Sequence, residues 1–162
     1  MMLLDAGLRI GEIVRLKMDD LHLDDSFIKV LGKGKKERFV PIGSNSQRVL
    51  QRYLFHFRPK QNDSQNEYVF LSTGRNPLTE NSLKLMFARL AQRSGVKRLH
   101  AHLCRHTFAT KFLINGGDVF SLQQILGHST LEMVRHYVNL ASSHVTLQHR
   151  RFSPLDRLNL QK

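Results

Sequence analysis

His102-Leu103-Cys104-Arg105-His106-Thr107-Phe108-Ala109-Thr110 holds the densest group of chemically capable side chains in this 162-residue chain. Read as helix, the segment runs over about 102–115 and stops at Gly116-Gly117. A histidine and an arginine three residues apart on a helix project from one face, so His102 and Arg105 can reach one anion. Further on, Asp118 caps a helix over about 118–126, and Leu126-Gly127-His128-Ser129 follows with a glycine placed to end it. A helix over about 131–141, with Thr130 as its cap, carries Tyr137. Two imidazoles, a guanidinium and a phenol suffice in kind to attack a phosphodiester without a metal.

Upstream the pattern changes twice. Residues 1–6 read as the tail of a helix, Gly7 breaks it, and 8–16 form a second helix burying Ile10, Ile13, Val14 and Leu16. Arg9 falls at the junction, where taken alone it reads as a surface arginine. Phe27-Ile28-Lys29-Val30-Leu31 and Arg38-Phe39-Val40-Pro41-Ile42 are β-branched and aromatic runs joined by Gly32-Lys33-Gly34-Lys35-Lys36-Glu37, a hairpin with a cationic loop. Two glycines leave the backbone around Lys33 free to approach a ligand, although a charged edge turn accounts for the loop equally well. It is not a nucleotide-binding loop, because no Gly-Lys-Ser/Thr follows and no helix opens after it. Leu21-His22-Leu23 adds a short third strand.

The remainder is helical punctuation. Ser44 or Ser46 caps a helix with Val49, Leu50, Tyr53, Leu54 and Phe57 on its apolar side, stopped by Pro59. A polar loop over 60–67 precedes an extended run, Tyr68-Val69-Phe70-Leu71. Thr79 then caps a helix closed by Gly95. Residues 142–162 form a basic tail in which Ser153-Pro154-Leu155-Asp156 has capping-box spacing and opens a short amphipathic helix, suited to docking on a partner molecule.

Composition sets the context. An apolar content of 41% supports a single domain over 1–162 with a real core, one that buries about 70% of the unfolded surface. Lys and Arg number 25 against 13 acids, a formal charge of +12, which points to a polyanionic partner, nucleic acid before an acidic membrane. The single cysteine excludes an internal disulfide and suits a reducing compartment. No apolar run approaches the ~20 residues of a membrane span, and no signal-peptide pattern occurs, so the expected location is the cytoplasm.

Of three tyrosines, Tyr53 and Tyr68 lie among apolar neighbours and read as core, whereas Tyr137 follows Arg135-His136 on a basic helix. A tyrosine nucleophile conserves the phosphodiester bond energy in a covalent phosphotyrosine, so the chemistry calls for neither ATP nor metal, and no cofactor is expected. His100, His102 and His106 lie close enough to raise the idea of zinc. No acidic or cysteine ligand accompanies them at zinc spacing, and Arg105 in their midst would repel a cation.

Leu8-Arg9-Ile10-Gly11-Glu12, the Gly32 to Arg38 loop with Val40-Pro41 after it, the His102 to Thr110 segment, Leu126-Gly127-His128-Ser129 and Tyr137 together resemble the catalytic domain of tyrosine recombinases, the phage integrase family. The likeness extends from the first residues to about Ser143, with two departures. Cys104 stands where the family often has leucine, and nothing corresponds to the family's N-terminal core-binding domain, so a catalytic fragment of a longer integrase is expected. It implies an α+β fold, mainly α-helical with a small antiparallel β-sheet, in which the tyrosine helix or the tail packs on a neighbouring protomer. By resemblance, Arg9 and Arg105 clamp the scissile phosphate, His102 and His128 donate to its oxygens, Lys33 protonates the departing 5′-hydroxyl, and Tyr137 attacks to form a 3′-phosphotyrosine. The implied partner is double-stranded DNA at a recombination site, engaged as a tetramer when a further N-terminal core-binding domain is present. The expected role is integration or excision of a mobile element in a bacterial or phage setting. Two alternatives remain at this stage: a DNA-binding remnant without chemistry, and a topoisomerase-like relaxing enzyme.

Overall fold

The computed structural model describes residues 1–32, 34, 36–61, 67–141, 149 and 153. In chain order the elements are α1 (Met2–Asp5), α2 (Ile10–Arg15), a 3-10 turn (Met18–Asp20), β1 (Leu21–His22), β2 (Phe27–Leu31), β3 (Glu37–Pro41) and α3 (Ser44–Arg52). Four more helices follow: α4 (Glu80–Ser94), α5 (Ala101–Ile114), α6 (Val119–Leu126) and α7 (Glu132–Ala141). The architecture is the expected one, mainly helical with a three-stranded antiparallel sheet ordered β1-β2-β3. β2 and β3 pair from Phe27 opposite Pro41 to Leu31 opposite Glu37. Strand alternation sends Ile28, Val30 and Val40 into the core, where they meet Leu8, Leu16, Leu50 and Val69. A second cluster of Ala109, Leu113, Leu122, Leu126, Val134 and Tyr137 forms where α5, α6 and α7 meet. Phe108 and Phe112 pack against both clusters, so the helical layer and the sheet layer share one interior.

Local signals hold at most helix ends. Thr79 accepts from the Ser82 N–H and Asp118 from the Ser121 N–H, while Gly95 and Gly127 end their helices in the left-handed region. Two caps differ from expectation, and a third falls on a residue that the sequence did not single out as a cap. Gly43, rather than Ser44 or Ser46, stands at the start of α3, and the Asp5 carboxylate accepts its N–H at 2.8 Å, so a distant side chain does the work of a local one. At α5 the His100 imidazole is the cap, its Nδ1 accepting from the Leu103 N–H at 3.1 Å; imidazole lies outside the usual set of capping side chains. At α7, Leu131 rather than Thr130 occupies the cap position, its carbonyl accepting from Arg135.

α3 does not end at Arg52 but continues as a π-helical turn over Tyr53–Phe57, with the Arg58 N–H reaching the Tyr53 carbonyl. The extended run at 68–71 reduces to two isolated bridges, Lys17 with Tyr68 and Leu71 with Pro77. The helix expected after Ser153 and most of the 60–67 loop lie outside the described residues. Among the described residues no helix is long and apolar enough to cross a membrane.

Candidate active site

Two helix ends build the site. Gly7, at φ 60, turns the chain from α1 into α2, and a Cβ there would meet Phe108 at 2.5 Å and Leu126 at 2.9 Å. This tight turn delivers Arg9 to the N-cap of α2. A cation at the positive end of a helix is unfavourable unless it is compensated. Glu12 compensates it, its carboxylate accepting from the Arg9 backbone N–H at 2.8 Å and from Nη1 at 3.0 Å.

The second end is the C-terminus of α6, where four carbonyls lack helical partners. The backbone turn at Gly127 and His128 satisfies those of Gln123 and Gln124. The other two receive arginines: Arg38 Nε donates to the Ile125 carbonyl at 2.9 Å, and Arg105 Nη2 donates to the Leu126 carbonyl at 2.7 Å. Two guanidiniums thus sit at the negative pole of one helix, the favourable position for cations.

Arg105 is 3% exposed. Burying a cation is costly unless its donors are met. Besides the Leu126 carbonyl it donates to the Gly7 carbonyl and to His128 Nε2, the latter at 3.0 Å. No carboxylate among the described residues forms an ion pair with it, so its charge is hydrogen-bonded without being neutralised. Burial, and then the Arg9 charge, push its pKa down to about 10, which leaves it cationic at neutral pH. A guanidinium carries five N–H donors, and three such contacts leave two for an incoming anion.

The Arg105 contact also sets the tautomer of His128. Since arginine only donates, His128 Nε2 accepts and the proton resides on Nδ1. That Nδ1 is buried and has no partner among the described residues. Burial, then the Arg105, Arg9 and Arg38 charges, lower the His128 pKa from 6.5 to about 4, so the ring is neutral at neutral pH.

Tyr137 is 5% exposed and lies nearly parallel to His128, with ring centroids 6.4 Å apart. Burial raises its pKa, opposed by Arg105 and Arg9, so it rests as a protonated phenol. His106 stands 5.1 Å from the Tyr137 ring and shares an Nε2-to-Nε2 hydrogen bond of 2.8 Å with His102.

Arg9, His102, Arg105, His128 and Tyr137 line one cleft of about 310 Å³, together with Leu8, Ile10 and Ala101. A larger hollow of about 840 Å³ adjoins it, sharing Arg9 and His128 and adding Lys36, Gln123 and Ser129. Five of the six residues singled out from the sequence therefore converge; the sixth, Lys33, lies outside the described residues. Sequence reading missed Glu12, Arg38 and His106. Glu12 stands three residues after Arg9, the capping-box interval, and so was open to discovery. Arg38 shares the inward face of β3 with Val40, and a cation at a core register implies a buried partner.

The His128 environment has a consequence for stability. Between pH 6.5 and about 4 the unfolded chain takes up a proton on this imidazole that the folded chain refuses. Stability is therefore expected to fall as pH drops through that window and to be unaffected by this residue above it. Denaturant midpoints of the parent chain and His128→Asn across the window check this; parallel pH dependences would rule out a neutral buried imidazole.

The Phage integrase family matches residues 1–144. Tyrosine recombinase XerD of Listeria innocua serovar 6a is 38% identical over 152 residues, covering 92% of this chain and 51% of that protein. The crystal structure of XerA recombinase superposes with a TM-score of 0.79 at 32% identity, over 94% of this chain and 56% of that one. The Tn1549 transposon integrase in complex with a circular intermediate DNA gives 0.74 at 25% identity, over 84% of this chain and 51% of that one. The chain thus spans about half the length of these relatives. With the family match running through the arginine, histidine and tyrosine motifs, this chain belongs to the phage integrase family.

Proposed function

We propose that this chain is the catalytic domain of a site-specific DNA recombinase that breaks and rejoins strands through a 3′-phosphotyrosine. The supporting observation is the convergence of Arg9, His102, Arg105, His128 and Tyr137 on one cleft. The Tyr137 oxygen attacks phosphorus, the bond to the 5′-oxygen breaks, and Lys33 supplies the proton to the departing hydroxyl. Attack by a 5′-hydroxyl on the phosphotyrosine reverses the step and frees the tyrosine. Charge accumulates on the non-bridging oxygens as the transition state forms, and preorganised donors act there. The two guanidiniums supply most of that stabilisation.

His128, which lines the cleft beside Arg105, donates a ring N–H to a phosphate oxygen. His102 provides the fourth donor, with its bond to His106 fixing the ring. The adjoining hollow, basic through Lys36 and Arg9, accommodates the flanking backbone of duplex DNA, in keeping with a net charge of +12. In the whole protein the domain works beside an N-terminal core-binding domain, as a tetramer on DNA, in the cytoplasm, moving a mobile element in or out of a chromosome.

A pool of nicked duplexes randomised around the nick tests the reading. Cleavage near a nick releases a short oligonucleotide that diffuses away, so the protein stays covalently attached. Adducts that resist SDS should form, and peptide mapping should find the nucleotide on Tyr137. A protein that binds the pool but yields no adduct would leave only the DNA-binding alternative, and an adduct on another residue would overturn Tyr137 as the nucleophile.

A further inference from the structure

Arg38 is absent from the chemistry just described, yet it touches both halves of the cleft. Its guanidinium forms a two-pronged pair with Glu12, Nη1 to Oε1 and Nη2 to Oε2, each at 2.9 Å. The third contact, from Nε to the Ile125 carbonyl, runs to the end of α6. The Arg38 side chain is only 12% exposed and that of Glu12 7%. The same Glu12 carboxylate holds Arg9, and the carbonyl after Ile125 holds Arg105. Gly127 packs directly beneath it: a Cβ there would meet Arg38 Cδ and Nε at 3.0 Å. Burial raises the Glu12 pKa, but the hydrogen bonds from Arg38 and Arg9 outweigh it and keep the carboxylate ionised.

We propose that Arg38 is a positioning residue for strand cleavage, bridging Glu12 to the end of α6 so that Arg9 and His128 keep one fixed separation across the phosphate. This rests on the reaction proposed above. A rigid fork is needed because one guanidinium serves three acceptors at once, two on Glu12 and one on Ile125. A lysine keeps the charge but offers a point donor and cannot serve all three at once. Loss of the brace leaves Arg9 tied to Glu12, but with Glu12 itself no longer tied to α6. A displacement of the order of an ångström between clamp groups is enough to slow a reaction by about a hundredfold.

The test uses Arg38→Lys and Arg38→Met beside Arg9→Ala, on a nicked duplex recovered from the adduct pool. Adduct formation at saturating DNA should slow by about 10- to 100-fold in both Arg38 variants, with little change in DNA affinity. A second duplex carries a methylphosphonate at the scissile position, replacing one charged oxygen by methyl and so removing much of the charge that Arg9 must meet. The defects of Arg9→Ala and of both Arg38 variants should shrink together on that duplex. A defect that persists there in Arg38→Lys while Arg9→Ala is relieved would reduce Arg38 to a fold-holding role, and undiminished cleavage by both Arg38 variants would equally overturn the proposal.

The side-chain nitrogen resonances of Arg9, followed by NMR without DNA, give a readout that does not require cleavage. They should shift or broaden in Arg38→Lys, and unchanged resonances would remove the brace. If the parent chain forms no adduct, the recombinase reading falls while these resonances still decide whether Arg38 orders Arg9.

Discussion

Tyr137→Phe is expected to abolish the covalent adduct while leaving DNA binding and folding close to the parent. The phenyl ring keeps its place among Ala109, Leu113, Leu122 and Val134 and its stack on His128, so the packing that defines this cluster survives. What disappears is one hydroxyl, and a single hydrogen bond contributes about 0.5–1.5 kcal/mol to stability. The loss of cleavage is total by comparison, because among the described residues no other side chain lining the cleft is an oxygen nucleophile. Adduct assays on the recovered nicked duplex, with affinity and denaturation measured on the same preparation, separate these effects. An adduct of undiminished yield from Tyr137→Phe would place the nucleophile elsewhere and dismantle the site.

Arg105→Lys should produce the next largest change, a fall in cleavage rate of about 10²–10³-fold or more, the range seen when one preorganised transition-state donor is removed. Lysine retains the positive charge, so long-range attraction of DNA is expected to persist. It cannot replace the fork: Arg105 serves Gly7, Leu126 and His128 at once and still has donors to spare. Each buried carbonyl left without a donor costs about 1–3 kcal/mol, so a lower denaturant midpoint should accompany the kinetic defect. Single-turnover cleavage under conditions where the variant is fully folded distinguishes the two losses. A variant that cleaves at the parent rate would show that the guanidinium at Arg105 is there for the fold alone.

These two expectations draw on different kinds of information. Tyr137 was legible from its basic neighbours and its interval after His128, because helical periodicity and helix-ending glycines are local properties of the chain. The strands around Phe27 and Val40 were legible for the same reason, as were the caps at Thr79 and Asp118 and the stops at Gly95 and Gly127. The cap at Gly43 was not, since the carboxylate that binds it comes from Asp5, 38 residues earlier. Nor could the pattern announce that His100 would act as a cap, because its imidazole does so only in the tautomer that leaves Nδ1 free to accept.

By itself, then, the sequence determined which residue types were present and in what order, the hairpin and most helix limits, and the family likeness supplied the residues proposed as catalytic. Only the tertiary structure decided how those groups are held. Arg105 meets Gly7 across 98 positions and Leu126 across 21; Arg38 meets Glu12 across 26 and Ile125 across 87. Periodicity reports which face of an element is buried and nothing about which distant carbonyl a buried cation will find. The pairing at the end of α6 follows from the requirement that every interior donor and acceptor be met. That requirement is satisfied across the whole fold at once, and here it leaves two arginines and a neutral imidazole gathered at one cleft.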